Sequence, residues 1–240
     1  MIDEKQKKIL GIIMAVILLV SMYFVAREGA AYVNADKVIS GKSESEEICV
    51  VVDAGHGGAD PGKVGINGAL EKDLNLRIAE LVKEFLEAQD IKVVMTRTDD
   101  GGLYDENTSN KKVQDMKRRI AIIEEAKPEI VVSIHQNSYH EEYVHGAQVF
   151  YYSGSGTGKN LAKLIQRQFI TGVDPENKRE AKANDSYYLL KKTSVPIVIV
   201  ECGFLSNREE AERLNSDIYQ EKAAWAVHMG VLQYLNMHNK

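Results

Sequence analysis

Three runs of β-branched and aliphatic residues constrain this chain most: Ile48–Asp53, Ile130–Ile134 and Pro196–Val200. None alternates apolar with polar residues. Continuous runs of this kind belong to strands covered on both faces, the condition of a parallel or mixed sheet held between helices. The intervening segments agree: Leu74, Ile78, Leu81, Val82 and Phe85 recur at helical spacing and mark an amphipathic helix from about Glu71 to Gln89. Further strands read at Ile91–Met95, Gly146–Tyr152 and, briefly, near Tyr187–Leu190. Helices read before Pro128, around Thr157–Phe169 and near Ile218–Leu235, with Ser206-Asn207 as a helix N-cap. The expectation is a single α/β domain over residues 48–240, with a central, mostly parallel or mixed sheet of about six strands flanked by helices.

The N-terminal residues read differently. Ile9–Ala26 carries no charge and follows Lys5, Lys7 and Lys8. As a helix it spans about 27 Å at about 1.5 Å per residue, close to the roughly 30 Å of a bilayer core. Residues 1–26 are therefore expected to form an N-terminal transmembrane helix with the remainder outside. A cleaved signal sequence is the alternative, with Gly29-Ala30-Ala31 as the small-residue site. Either way the working domain is extracytoplasmic, anchored or secreted. Residues 27–47, with the polar tract Ser40–Glu47, read as a linker. The whole chain has 30 Lys+Arg against 35 Asp+Glu, a net charge of −5, which argues against nucleic acid, a ligand that needs a basic face. Cys49 and Cys202 lie in apolar runs and read as two buried thiols, with one disulfide as the alternative.

Polar residues at the carboxyl ends of buried strands carry the chemical information, because open α/β sheets bind ligands there. Asp53 and His56 follow the first strand, His135 and Asn137 follow the third, and Glu201 ends the Ile-Val-Ile-Val run. Glu71 opens the first helix after a glycine-rich loop. Two histidines and a carboxylate make a zinc shell that leaves one position open for water. Singly, each residue has a plainer reading: a loop histidine at 56, a satisfied core histidine at 135, a helix-dipole carboxylate at 71. Glu201 is harder to explain so, since a carboxylate ending a buried strand needs a partner or a purpose. His140, His145, His228 and His238 read as surface residues.

The surrounding letters carry more. VVVDAGHGGADPG, EKDLNL, TRTDD, SIHQNS and PIVIVECGFLSN occur in this order, and together they resemble the zinc-dependent N-acetylmuramoyl-L-alanine amidases of the type-3 amidase family. The resemblance runs from about Ile48 to Leu235, and its shorter, N-terminally anchored, sporulation- and germination-specific members are the most similar. It implies one Zn²⁺ per chain, held by His56, Glu71 and His135, with Glu201 as the catalytic carboxylate. It implies peptidoglycan as substrate, cut between the lactyl group of N-acetylmuramic acid and L-alanine, in spore cortex and toward muramic-δ-lactam.

In that scheme Glu201 takes a proton from water and passes it to the leaving nitrogen. Asp53, Asn137 and Arg97 are expected to support the metal ligands or position substrate. For Arg97 an ordinary loop salt bridge is an equal reading. Cell-division relatives carry an inhibitory helix between the positions of His135 and Glu201; no amphipathic insertion stands there in this chain. Control then falls to expression, to the membrane tether, or to an activating protein partner in the envelope. Three other functions share parts of this pattern: a peptidoglycan-binding module of little activity that depends on a partner, a zinc peptidase of stem peptides, and a structural envelope protein.

Overall fold

The apolar runs pair side by side as parallel strands. β1 (Cys49–Ala54), β3 (Ile130–Asn137) and β6 (Ile197–Phe204) form the centre of a six-stranded sheet. β2 (Lys92–Met95) lies parallel to β1 on one side. Beyond β6, β4 (Gln148–Tyr151) runs antiparallel to it, and the two-residue β5 (Lys182–Ala183) pairs parallel to β4. The order is β2-β1-β3-β6-β4-β5. Every residue of β1 and β6 is buried, which is why neither alternates in sequence.

Around the sheet lie α1 (Glu71–Glu87), α2 (Lys111–Ala126), α3 (Gly156–Gln168), α4 (Tyr188–Lys192), α5 (Arg208–Leu214) and α6 (Asp217–His238). Alternating strand residues separate two cores. Val50, Val52, Val132, Ile134, Val198 and Val200 pack with α1, α3 and α6. Val51, Val131, Ile197 and Ile199 pack with Ile123 of α2 and Leu189 and Leu190 of α4. Counting on by twos along these second rows reaches Asp53, His135 and Glu201, so the sheet's own pleat delivers all three to the α2–α4 face. His135 and Glu201 are register partners on adjacent strands.

The computed structural model describes Met14, Ser21, Met22 and residues 47–238. Apart from those three residues and Glu47, the expected membrane helix and linker lie outside the described residues. Among the described residues no helix is long and apolar enough to cross a membrane. Glu47–Lys240 forms one compact unit.

Three expectations need correction. The segment near Tyr187–Leu190 is not a strand: Asn184 Oδ1 accepts the amides of Ser186 and Tyr187, turning the chain into α4. One helical turn lets the consecutive residues Leu189 and Leu190 both reach the core, which a strand would not. The sixth strand is instead β5, two exposed residues that no sequence pattern marks, which pair because β4 leaves its outer edge open. Finally, His228 is buried, packed against Phe85 and Trp225 where α1 meets α6. Cys49 and Cys202 are, as read, buried free thiols.

Candidate active site

His56, Glu71 and His135 converge at the carboxyl ends of the parallel strands, each offering a ligand atom within 4.8 Å of the other two. Glu71 Oε1 stands between the imidazoles, 3.2 Å from His56 Nε2 and 3.1 Å from His135 Nδ1. The same oxygen accepts the Gln136 amide at 3.1 Å, and Oε2 accepts the Lys63 amide at 2.8 Å. Burial alone would raise the Glu71 pKa, but the hydrogen bonds and charges of His135 and His56 outweigh it and hold the carboxyl far below its usual range. His56 shows the converse. Burial opposes its charged form, yet Glu71 and Asp60 raise its pKa to about 9, with Asp60 Oδ2 3.0 Å from Nδ1. Two imidazoles and one carboxylate meeting at a point fit a cation of zinc's ligand preference, and Asp60 on the outer nitrogen of His56 would fix the tautomer of such a ligand.

The backbone is shaped around this cluster. His56 adopts φ 64°, the left-handed region that non-glycine residues rarely enter. Gly55 is required by close approach, because a Cβ there would overlap the His135 ring. Arg119 of α2 spans the base of the loop. Its Nη2 donates to the His56 carbonyl at 2.5 Å, and its Nη1 to the Ala54 carbonyl at 2.7 Å and Asp53 Oδ1 at 2.6 Å. Asp115 binds its Nε at 2.6 Å. Arg119 thus locks a strained backbone in place.

The other expected site residues separate. Asp53 is fully buried and accepts from Thr96 and Ser133 as well as Arg119. Burial opposes its ionisation, but Arg119 and these hydroxyls bring its pKa down to about 2. Among the described residues Arg97 makes no salt bridge: its guanidinium donates to the carbonyls of Ala54, Gly55, Lys72 and Asp99. Asn137 accepts the Ser138 amide and does not line the cavity beside His135.

That cavity, about 410 Å³, opens on the α2–α4 face and is lined by His56, His135, Glu201, Tyr104, Lys111 and Tyr187 among others. Glu201 is 5% exposed, and its Oε1 accepts the Tyr187 hydroxyl at 3.0 Å. Its Oε2 is buried with no hydrogen-bond partner among the described residues. Burial raises the Glu201 pKa, against the opposing charge of His135. A buried carboxyl oxygen left without a partner is costly, and marks a group kept free for another molecule.

Tyr187 and Arg119 were not singled out from sequence. Arg119 carried a faint signal, standing on the helical stripe of Met116, Ile120 and Ile123, where a charge needs a buried partner. Tyr187 carried none.

Residues 50–233 match the family described as N-acetylmuramoyl-L-alanine amidase. The germination-specific N-acetylmuramoyl-L-alanine amidase of Bacillus subtilis is 36% identical over 77% of this chain and 78% of its own length. Among solved structures, the CwlD amidase of Clostridioides difficile, in complex with the GerS lipoprotein, is 40% identical with a TM-score of 0.77, covering 79% of this chain and 99% of that one. An N-acetylmuramoyl-L-alanine amidase of Clostridium difficile 630 is 31% identical with a TM-score of 0.71, covering 80% and 98%. The matched span takes in the three converging residues, the unpartnered Glu201 and the sheet that carries them, and the chain belongs to the N-acetylmuramoyl-L-alanine amidases.

Proposed function

We propose that the chain hydrolyses the amide between the lactyl group of N-acetylmuramic acid and L-alanine with one Zn²⁺ held by His56, Glu71 and His135. The observation that carries this reading is the Glu201 Oε2, buried without a partner among the described residues, beside a cavity that His56, His135 and Glu201 line. Zinc at this site supplies Lewis acidity, lowering the pKa of water and polarising a carbonyl. Glu201 is the proton carrier. Its raised pKa suits a group that takes a proton from water and returns it to the departing L-alanine nitrogen, which leaves poorly unless protonated. The Tyr187 hydroxyl holds Oε1, so Oε2 is the oxygen free to act. Asp53, Arg97 and Arg119 support the ligand loop without touching substrate, and Asn137 shapes the end of β3.

Similarity to the germination-specific enzyme supports a spore-cortex substrate and a place in muramic-δ-lactam formation. Residues 1–26 would anchor residues 48–240 through the 27–47 linker outside the cytoplasm. The relative solved with a lipoprotein supports an envelope protein as activating partner.

The test is digestion of purified peptidoglycan by the full chain in detergent with zinc, with and without an envelope extract, and identification of the new ends by mass spectrometry. Free L-alanine amino termini with intact muramic lactyl groups are expected, and chelation should abolish them. Cleavage within the stem peptide would replace this reading with a peptidase. Full activity without extract would remove the partner.

A further inference from the structure

His56 and its partner Asp60 stand in a loop outside the helices and strands. His56, Gly57 and Gly58 adopt φ 64°, 136° and 59°, three positive values in succession. A chain left to itself does not keep such a run, because each of these states competes with more populated ones. Something outside the loop must hold it, and the partners of its backbone groups show what does. Gly57 and Asp60 exchange amide and carbonyl at 3.0 and 3.2 Å, the only bonds the loop makes within this stretch of its own backbone among the described residues. The His56 carbonyl accepts Arg119. The Gly58 amide donates to the Asp100 carbonyl at 2.5 Å, and the Gly58 carbonyl accepts Lys72 Nζ at 3.1 Å. The Ala59 amide donates to the Tyr104 hydroxyl at 2.5 Å.

Asp100 and Tyr104 belong to one segment, residues 97–104, which lies directly against the loop. A Cβ added at Gly57 would overlap the Gly101 carbonyl, and one at Gly58 would overlap Tyr104. The segment is fastened at both ends and in the middle. Arg97 donates to the carbonyls of Ala54 and Gly55, where the loop leaves β1. Lys72 Nζ, while bound to Gly58, also meets Asp100 Oδ1 at 2.7 Å. Asp115 Oδ1 accepts the Leu103 amide at 2.8 Å, and its Oδ2 holds Arg119, the residue that binds the His56 carbonyl.

We infer that residues 97–104 are a strap that keeps the His56 loop ordered in readiness for the metal, with Tyr104 as its positioning residue. Tyr104 acts through the Ala59 amide, and the next residue, Asp60, meets His56 Nδ1 at 3.0 Å. Released from the strap, the loop would have to be ordered as the ion binds, and that ordering cost would weaken the affinity. The inference rests on the metal site proposed above.

The test compares zinc affinity, by competition with a chromophoric chelator, and thermal melting of the metal-free protein, both on the full chain in detergent. Tyr104→Phe keeps the ring and removes the hydroxyl that accepts the Ala59 amide. It should raise the zinc Kd by about tenfold, the scale for groups that orient a ligand. The metal-free chain should still melt within about 4 °C of the parent, the scale of one lost hydrogen bond. Lys72→Met frees the Gly58 carbonyl and should weaken zinc similarly. Arg118→Met breaks the exposed pair with Asp105 just beyond the strap, touches no bond to the loop, and should leave the Kd within about twofold. Zinc affinity unchanged in both Tyr104→Phe and Lys72→Met would overturn the inference while leaving the metal site standing. Equal weakening in Arg118→Met would also overturn it, since any loosening of the surface would then suffice. A parent that takes up no zinc would overturn the metal site and the strap together.

Discussion

Three carboxyls within one site differ only in their surroundings. Asp53 is met by a guanidinium and two hydroxyls, Glu71 by two imidazoles and two backbone amides, and Glu201 by one tyrosine on one oxygen. The first two ionise more readily than usual, and burial makes the third harder to ionise. A group that shuttles a proton is best served by the third environment. Glu201→Gln should therefore keep fold and metal but lower kcat by about 10²–10⁴-fold. Metal content by mass spectrometry, measured alongside kcat, checks it, and near-normal turnover would assign the proton carrier elsewhere. Tyr187→Phe removes only the bond to Oε1. We expect a several-fold fall in kcat with KM unchanged, because the hydroxyl orients Glu201 and does not reach substrate. A rise in KM alone would make Tyr187 a substrate contact instead.

At the scale of elements, the site depends on how closely helices and strands approach. Gly230 lets α6 lie directly on α3: a Cβ there would stand 2.7 Å from the Ile165 Cα and 2.9 Å from its amide nitrogen. Backbone atoms cannot yield as a side-chain tip can. Gly230→Ala should cost about 1–3 kcal/mol, enough to lower Tm by about 3–10 °C. A thermal melt at unchanged Tm would mean that the helices slide apart at no cost. Gly55 repeats the principle inside the site, where the β1 loop meets the His135 ring. Both positions were visible as glycines in sequence; what each glycine touches was not.

At the scale of the whole molecule, one source of acid sensitivity lies away from the site, at His228. His228 is buried where α1 meets α6, neither ring nitrogen has a hydrogen-bond partner among the described residues, and burial lowers its pKa below the usual 6.5. The folded state thus binds this proton less readily than the unfolded chain. Its contribution to stability is complete above about pH 6.5 and is lost as pH falls below that toward the folded pKa. Denaturant unfolding of the chain at pH 7.5 and 5.5 should show His228→Phe losing less stability on acidification than the parent. Equal losses in both would show that His228 is not the titrating group.

The sheet was legible because burial on both faces leaves a local signature: β1, β3 and β6 are continuous apolar runs, and the pleat dictates that Asp53, His135 and Glu201 share a face. Strand and helix ends marked His56, Glu71 and His135 as candidates, the family resemblance grouped them, and the fold brings their ligand atoms within 4.8 Å of one another. The ends of β5 and α4 were not. Edge pairing depends on which strand is left open, and Leu189 and Leu190 become helical only because a core lies beneath them. Arg119 illustrates the boundary. Local spacing pairs it with Asp115, one helical turn away, and a sequence shows no more. Its bonds to Asp53 and His56, 66 and 63 positions away, exist because the two layers meet there and a buried guanidinium must be satisfied by whatever it meets. Periodicity is written residue by residue in the backbone's geometry, whereas the partner of a buried polar group is chosen only when distant segments pack.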